Sequence, residues 1–315
     1  MTEQSEINIE SNDSPTYSSI LDEHDIIRKQ REIRRELLKE LAQKEYNEDK
    51  GPNGVLAHLS HASLVSADIS ILGDVLRSIG DVEILNVILH SPGGDGTVVE
   101  KFVNLCRAQC KKFRVIIPNE AKSAATLISL GADEIIMGPP SELGPIDAQI
   151  EVAAGGLRRY VSAQSFIDAR NDLVKKYEQQ KKNQEETGAT AHMILTLDLP
   201  FISECEHLMD FGRDVARKFL GQYMFKNHSD KTSKIKKAVD YLSSVKRNKV
   251  HGRMIDGSTA RTTLGLKVKI LGKNDPFWKK IWEYYTRAEL HLTRNGVVKL
   301  FETEHDMLMA TSPST

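Results

Sequence analysis

The chain has 315 residues, 40% of them hydrophobic and 28% charged, with a formal net charge of −1. That length accommodates one domain of roughly 200 residues with appendages, or two small domains. The balanced charge argues against a dedicated nucleic-acid binder, and no run approaches the roughly 20 apolar residues of a membrane span. The basic stretches at 234–237 and 246–249 read as solvated helix faces.

The opening segment MTEQSEINIESNDSPTYSS is polar and Ser-rich, without a signal-peptide layout, and residues 1–20 are expected to be disordered. Residues 21–50 change character: Ile26, Ile33, Leu37 and Leu41 recur at helical spacing among mixed charges. Such a helix can cover the core or mediate self-association. GPNG at 51–54 reads as a turn.

Residues 51–156 alternate between strand and helix patterns. A helix is expected over 66–79, a buried strand over 82–89 (VEILNVIL), a helix over 98–111 and a second strand over 113–117. A helix over 124–130 and a third strand over 133–137 follow. This rhythm predicts an α/β fold: a parallel sheet with helices packed outside it. Residues 157–248 read as a helical insert, broken near 187–191 and 227–231, with an apolar stripe through Ile202, Cys205, Met209, Val215, Phe219 and Met224. In the final part, 249–315, strand character returns over 264–271 and a last helix is expected over 278–292.

Cys106, Cys110 and Cys205 are the three cysteines. The first two, four apart on an expected helix, read as small packed hydrophobes, because no matching Cys/His pair completes a zinc pattern. No metal and no cofactor are expected. So sparse a set fits a reducing compartment, which makes a cytoplasmic setting the natural expectation.

Two segments carry chemistry. HSPGGDG ends one expected strand and enters a helix, so its glycines allow a bend that exposes backbone N–H groups beside a helix N-terminus. A tight βα turn alone would use the same residues. Neither GxGxxG nor GxxxxGK[ST] is present, which argues against a phosphate loop. In the second segment, Ser123 stands past the next strand, at the start of a helix and among alanines. Small neighbours admit a carbonyl to its hydroxyl; by itself the serine could simply cap the helix. Together the two place a hydroxyl beside backbone donors on consecutive strand ends, the geometry of acyl transfer.

The block 82–150 resembles the Clp/crotonase-fold peptidases, including the Clp proteolytic subunit and the SppA-type signal peptide peptidases. AKSAATLISLGADEIIMGPPSELGPIDAQI is similar to the serine dehydrogenase proteinases, and VHGRMIDGSTARTTLGLKV resembles that family's C-terminal histidine motif. The resemblance spans about residues 55–270 and is strongest over 88–150. It implies a serine peptidase with Ser123 as nucleophile, Gly94 and Ala124 as oxyanion donors and Gly93 in the supporting turn. It further implies a Ser, Asp, His order, matched here by Asp147 and His251. Peptide or protein substrates and a homo-oligomer are implied as well. Many relatives begin with an apolar membrane helix, where this chain has a charged one.

Alternatives remain at this stage. Asp133 competes with Asp147, while His207, on the helical stripe, reads as structural and His192 and His228 as exposed. A Ser/Lys dyad of the SppA type would draw on Lys175 or Lys176, although KKYEQQKKNQEE is polar and a catalytic lysine must be desolvated. Lys122 is expected to point away from Ser123. The same fold also serves acyl-CoA enzymes of the crotonase type, and a non-catalytic scaffold would use the N-terminal helix and the insert to bind a partner.

Overall fold

The computed structural model describes residues 27–43, 52–154, 156–248 and 250–311. The tail expected to be disordered, 1–20, lies outside these residues. Helix α1 (Ile27–Leu41) is followed by β1 (Asn53–Ser60), α2 (Ala67–Ile79), β2 (Val82–His90), α3 (Val99–Ala108) and β3 (Cys110–Ile117). A short β4 (Glu120–Ala121) leads into α4 (Ala124–Leu130), β5 (Glu134–Met137) and β6 (Glu142–Leu143). The hairpin β7 (Gln149–Ala154) and β8 (Leu157–Ser162) comes next. Five helices follow: α5 (Ala163–Lys182), α6 (Gly188–Leu195), α7 (Leu199–Gln222), α8 (Lys231–Leu242) and α9 (Val245–Asn248). The last elements are β9 (Ile255–Asp256), β10 (Val268–Ile270), α10 (Pro276–Asn295), β11 (Val297–Glu302) and β12 (Met307–Thr311).

The main sheet runs β10-β5-β3-β2-β1-β11-β12. Its first five strands are mutually parallel, and β11 and β12 close one edge antiparallel. Continuous apolar strands suit this sheet because helices cover both faces. Leu85, Val87 and Leu89 enter a core completed by α2, α3, α4, α7 and α8. Ile88, Ile116 and Ile136 enter a second core with α1 and α10. Within the sheet, buried Arg114 donates from Nε to Asn86 Oδ1 at 2.8 Å, pairing polar groups that would otherwise be stranded.

The amphipathic N-terminal helix covers the core. Leu37, Leu38 and Leu41 of α1 are buried in the second core, so its apolar face is already occupied. Among the described residues no helix is long and apolar enough to cross a membrane.

Several expectations are corrected. Residues 157–162 form β8 rather than helix, because every residue from Leu157 to Ser162 pairs across the hairpin with β7. Cys110 lies in β3, opposite Val82, rather than on a helix with Cys106. Asn53 and Gly54 of the expected turn already belong to β1. Strands β1, β11 and β12 carried no separate signal, and the expected strand over 264–271 shrinks to β10, preceded by a π-helical turn at Thr259–Thr263. His207 is exposed on α7, not packed in its apolar stripe.

One consequence of this packing is acid sensitivity. Burial, with a smaller contribution from the Lys299 charge, pushes His58 down to about 4; burial likewise lowers His90 and His291 to about 4. His58 stacks on Phe301 with ring centroids 4.2 Å apart. Below the ordinary value of 6.5 the unfolded chain binds protons that the folded chain refuses. Stability should therefore be intact above pH 6.5 and decline as pH falls towards about 4, by on the order of 3 kcal/mol for His58 alone. Urea midpoints at neutral and acidic pH should show the decline, and His58→Phe should flatten it; an unchanged slope in that variant would assign the acid response elsewhere.

Candidate active site

The carboxyl ends of parallel strands are where an α/β sheet offers a crevice. Two consecutive strands, β2 and β3, end here in the SPGG loop and in the turn that carries Ser123. Hydrogen bonds lock these segments together: Ser91 N–H donates to Glu120 O at 3.1 Å, and Lys122 N–H donates to Ser91 O at 3.0 Å. Gly93 has φ +95°, and a Cβ there would sit 2.5 Å from Lys122 O and 2.8 Å from Ser123 Cβ. Only glycine allows the loop to lie so close against the serine.

Gly94 has φ +141°, and a Cβ would fall 2.3 Å from Leu64 N. Its neighbours are pinned to the chain after β1: Leu64 N–H donates to Gly93 O at 2.7 Å and Asp95 N–H to Leu64 O at 2.9 Å. The Gly94 and Ala124 N–H groups have no acceptor among the described residues.

Ser123 occupies the N-cap position of α4, yet its side chain makes no capping hydrogen bond. Its backbone has φ 50° and ψ −115°, a left-handed conformation that serine adopts only under constraint. All seven residues of α4 are buried, so the helix start is held rigidly.

Asp147 and His251 are brought together although 104 residues separate them: His251 Nδ1 lies 2.9 Å from Asp147 Oδ1. The antiparallel bridge between β6 and β9, Leu143 to Ile255, lays the two segments side by side. Ile146 N–H also donates to Leu242 O at 3.0 Å, anchoring the Asp147 loop to the end of α8. Gln149 Nε2 donates to the other oxygen, Oδ2, at 3.0 Å. Burial pushes the Asp147 carboxyl up, but the hydrogen bond and charge of His251, with Gln149, outweigh this and hold it below the usual carboxylate range.

A cavity of about 350 Å³ adjoins this pair, walled by Asp147, His251, Gln149, Ser162, Tyr160 and Val250 among others. Ser123 is not among its walls, and no hydrogen bond joins Ser123 to His251 among the described residues.

The competing residues have other engagements. Asp133 accepts from Phe113 N–H at 2.8 Å and pairs with Arg107 at 3.1 Å, a structural role on the sheet. Lys122 is buried and ion-paired with Glu142. Lys175, Lys176, His192 and His228 are exposed. Thr126 was not anticipated from the sequence. Its buried hydroxyl donates to Ala121 O at 2.7 Å and accepts from Gly144 N–H at 3.1 Å, tying the serine turn to the loop that leads to Asp147. A threonine inside an apolar helix three residues after the serine was the available signal; Gln149 offered none.

Among curated proteins, two uncharacterized proteins of Methanocaldococcus jannaschii are 39% and 41% identical to this chain over 66 residues. Each match covers 21% of this chain and 23% of the relative, so the chain spans about a quarter of the length of the relatives it matches. Among solved structures, a mutant of the 1510-N membrane-bound stomatin-specific protease aligns with 48% of this chain and 72% of that chain, at 17% identity and a TM-score of 0.26. A second mutant of that protease, in complex with a substrate peptide, aligns with 74% of this chain and 96% of that chain, at 14% identity and a TM-score of 0.28. An enoyl-CoA hydratase from Mycobacterium avium subsp. paratuberculosis aligns with 62% of this chain and 90% of that chain, at 12% identity and a TM-score of 0.23. These structural likenesses are too distant to bear on chemistry. The family match is more direct: residues 66–160, which include the SPGG loop and Ser123, match the family of ClpP-like SDH-type serine proteinases.

Proposed function

We propose that this protein is a serine peptidase that works through an acyl-enzyme on Ser123. The observation that carries the reading is the serine itself: a hydroxyl at a helix start that declines to cap it, on a backbone at φ 50°, against a glycine loop with unengaged N–H groups. A residue kept only for capping would have neither property.

In this mechanism Ser123 Oγ attacks the substrate carbonyl and passes its proton to Nε2 of His251. Asp147 accepts from Nδ1–H of the imidazole, fixes its tautomer and stabilises the imidazolium. The N–H groups of Gly94 and Ala124 hold the tetrahedral oxyanion. His251 then protonates the leaving amine, and water hydrolyses the ester by the same route in reverse. The contact between Ser123 and His251 is one that such sites close when substrate binds. Low carboxyl basicity at Asp147 supports its role as a permanently ionised orienting group.

Peptides or proteins are the substrate class this reading carries, in a cytoplasmic setting. Self-association goes with it, supported by the exposed apolar side chains Leu157, Tyr160, Met193, Leu195 and Leu199 on the hairpin and the insert.

A fluorophosphonate probe should label the wild-type chain once, at Ser123, as read by peptide mass spectrometry. Ser123→Ala should abolish the labelling, and Asp147→Asn should slow it by about 10³–10⁴-fold through loss of the imidazole tautomer. Labelling that persists in Ser123→Ala would sink the assignment of the nucleophile.

A further inference from the structure

We propose that His61, His90 and Glu289 form a site for a divalent transition-metal ion of the zinc class, at the root of the SPGG loop. His61 follows β1, His90 ends β2 directly before Ser91, and Glu289 projects from α10. One ligand atom from each lies within 4.8 Å of those of the other two. Among the described residues this is the one such convergence of three His, Cys or carboxylate groups. Bonds of about 2.0–2.1 Å in a tetrahedral zinc site put neighbouring ligand atoms roughly 3.4 Å apart, so modest side-chain rotations would close the set.

A second observation points to a cation. His61 Nε2 lies 2.7 Å from Glu289 Oε1, but the other carboxylate oxygen, Oε2, is buried and has no hydrogen-bond partner among the described residues. A buried carboxylate oxygen without a donor is costly, and a metal ion satisfies it directly. Glu120 stands within coulombic reach of Glu289 and His61 and adds negative charge to the same spot. The His90 ring is held edge-on by Tyr285, with centroids 5.2 Å apart, and its Nδ1 faces the Glu120 N–H only at a long 3.5 Å. That contact is too weak to commit either ring nitrogen.

The ligand types select the metal. Two imidazoles with one carboxylate suit zinc, cobalt or nickel, whereas magnesium and calcium take oxygen shells. Three protein ligands leave a fourth position open. On loading, the metal replaces the His61–Glu289 hydrogen bond at Nε2; a neutral imidazole keeps its proton on Nδ1, and an imidazolium releases one proton to solvent. The ion would then tie the ends of β1 and β2 to α10 immediately ahead of Gly93 and Gly94. Sequence spacing gave no hint of this site, because its ligands stand at positions 61, 90 and 289.

The test uses the full chain, treated with chelator and titrated with Co²⁺, and reads visible d–d absorption together with equilibrium dialysis. One ion per chain is expected at micromolar concentration, with competition by Zn²⁺. His61→Ala and Glu289→Gln should each weaken binding by about 100-fold or more, while His228→Ala binds as wild type. Far-UV circular dichroism keeps loss of fold apart from loss of ligand. Failure of the wild type to bind Co²⁺, or wild-type binding by both folded variants, would overturn the proposal. Neither result depends on whether Ser123 is a nucleophile.

Discussion

Ser123→Gly is expected to stabilise the fold by about 1–2 kcal/mol while removing about a millionfold of hydrolytic rate. Both effects come from one residue. Serine at φ 50° and ψ −115° pays a steric penalty that glycine escapes, because the penalty arises from Cβ. The strain persists in the wild type because the buried α4 behind it and the hydrogen-bonded SPGG loop beside it leave the chain no relaxed alternative. In the proposed mechanism, removing the hydroxyl removes the nucleophile, leaving only what binding and backbone donors can contribute. Ser123→Ala separates the two effects: it keeps Cβ, so it should lose the same activity and gain little stability. Urea unfolding of the three proteins, alongside turnover of a peptide or ester substrate, provides the comparison. If Ser123→Gly is no more stable than Ser123→Ala, the backbone at this position carries no stored strain.

The second large effect lies where α1 meets β11. Arg34→Met should cost about 3–5 kcal/mol, because it strands a buried carboxylate. Arg34 and Glu302 are both fully buried, and the guanidinium reaches the carboxylate with two nitrogens, at 2.9 and 3.1 Å. Tyr284 donates a further hydrogen bond to Glu302 at 2.8 Å. This network joins α1 to β11 and α10 across the second core. The double variant Arg34→Met, Glu302→Leu should recover part of the loss, since a well-packed apolar pair can replace a buried ion pair. Thermal or urea denaturation measures all three. A loss below about 1 kcal/mol in the single variant would mean that α1 is not an integral part of the fold.

How much of this was legible depends on how local each signal is. The buried strands were readable from short apolar runs such as VEILNVIL, since burial on both faces demands apolar residues at successive positions. The helix over Ala124–Leu130 was readable, as were the order of the SPGG and serine turns and the resemblance they carried. The antiparallel strands were not. Strands β11 and β12 and the β7–β8 hairpin have weak internal patterns and exist through pairing with distant or neighbouring segments. Cys110 shows the same rule: four residues after Cys106 it fits a helix, and its pairing with Val82 makes it a strand.

From the sequence alone came the α/β class, the place of Ser123 at a strand–helix turn and the glycines beside it, because backbone freedom and hydrophobic period are properties of short segments. Only the tertiary structure decided that Asp147 meets His251 rather than Asp133, because a two-residue bridge between β6 and β9 sets that distance. It alone decided that Ser123 does not cap its helix and that α1 is sealed into the core. It also drew His61, His90 and Glu289 together from three elements. Convergence of this kind depends on where strands and helices end in space, and no spacing along the chain encodes it.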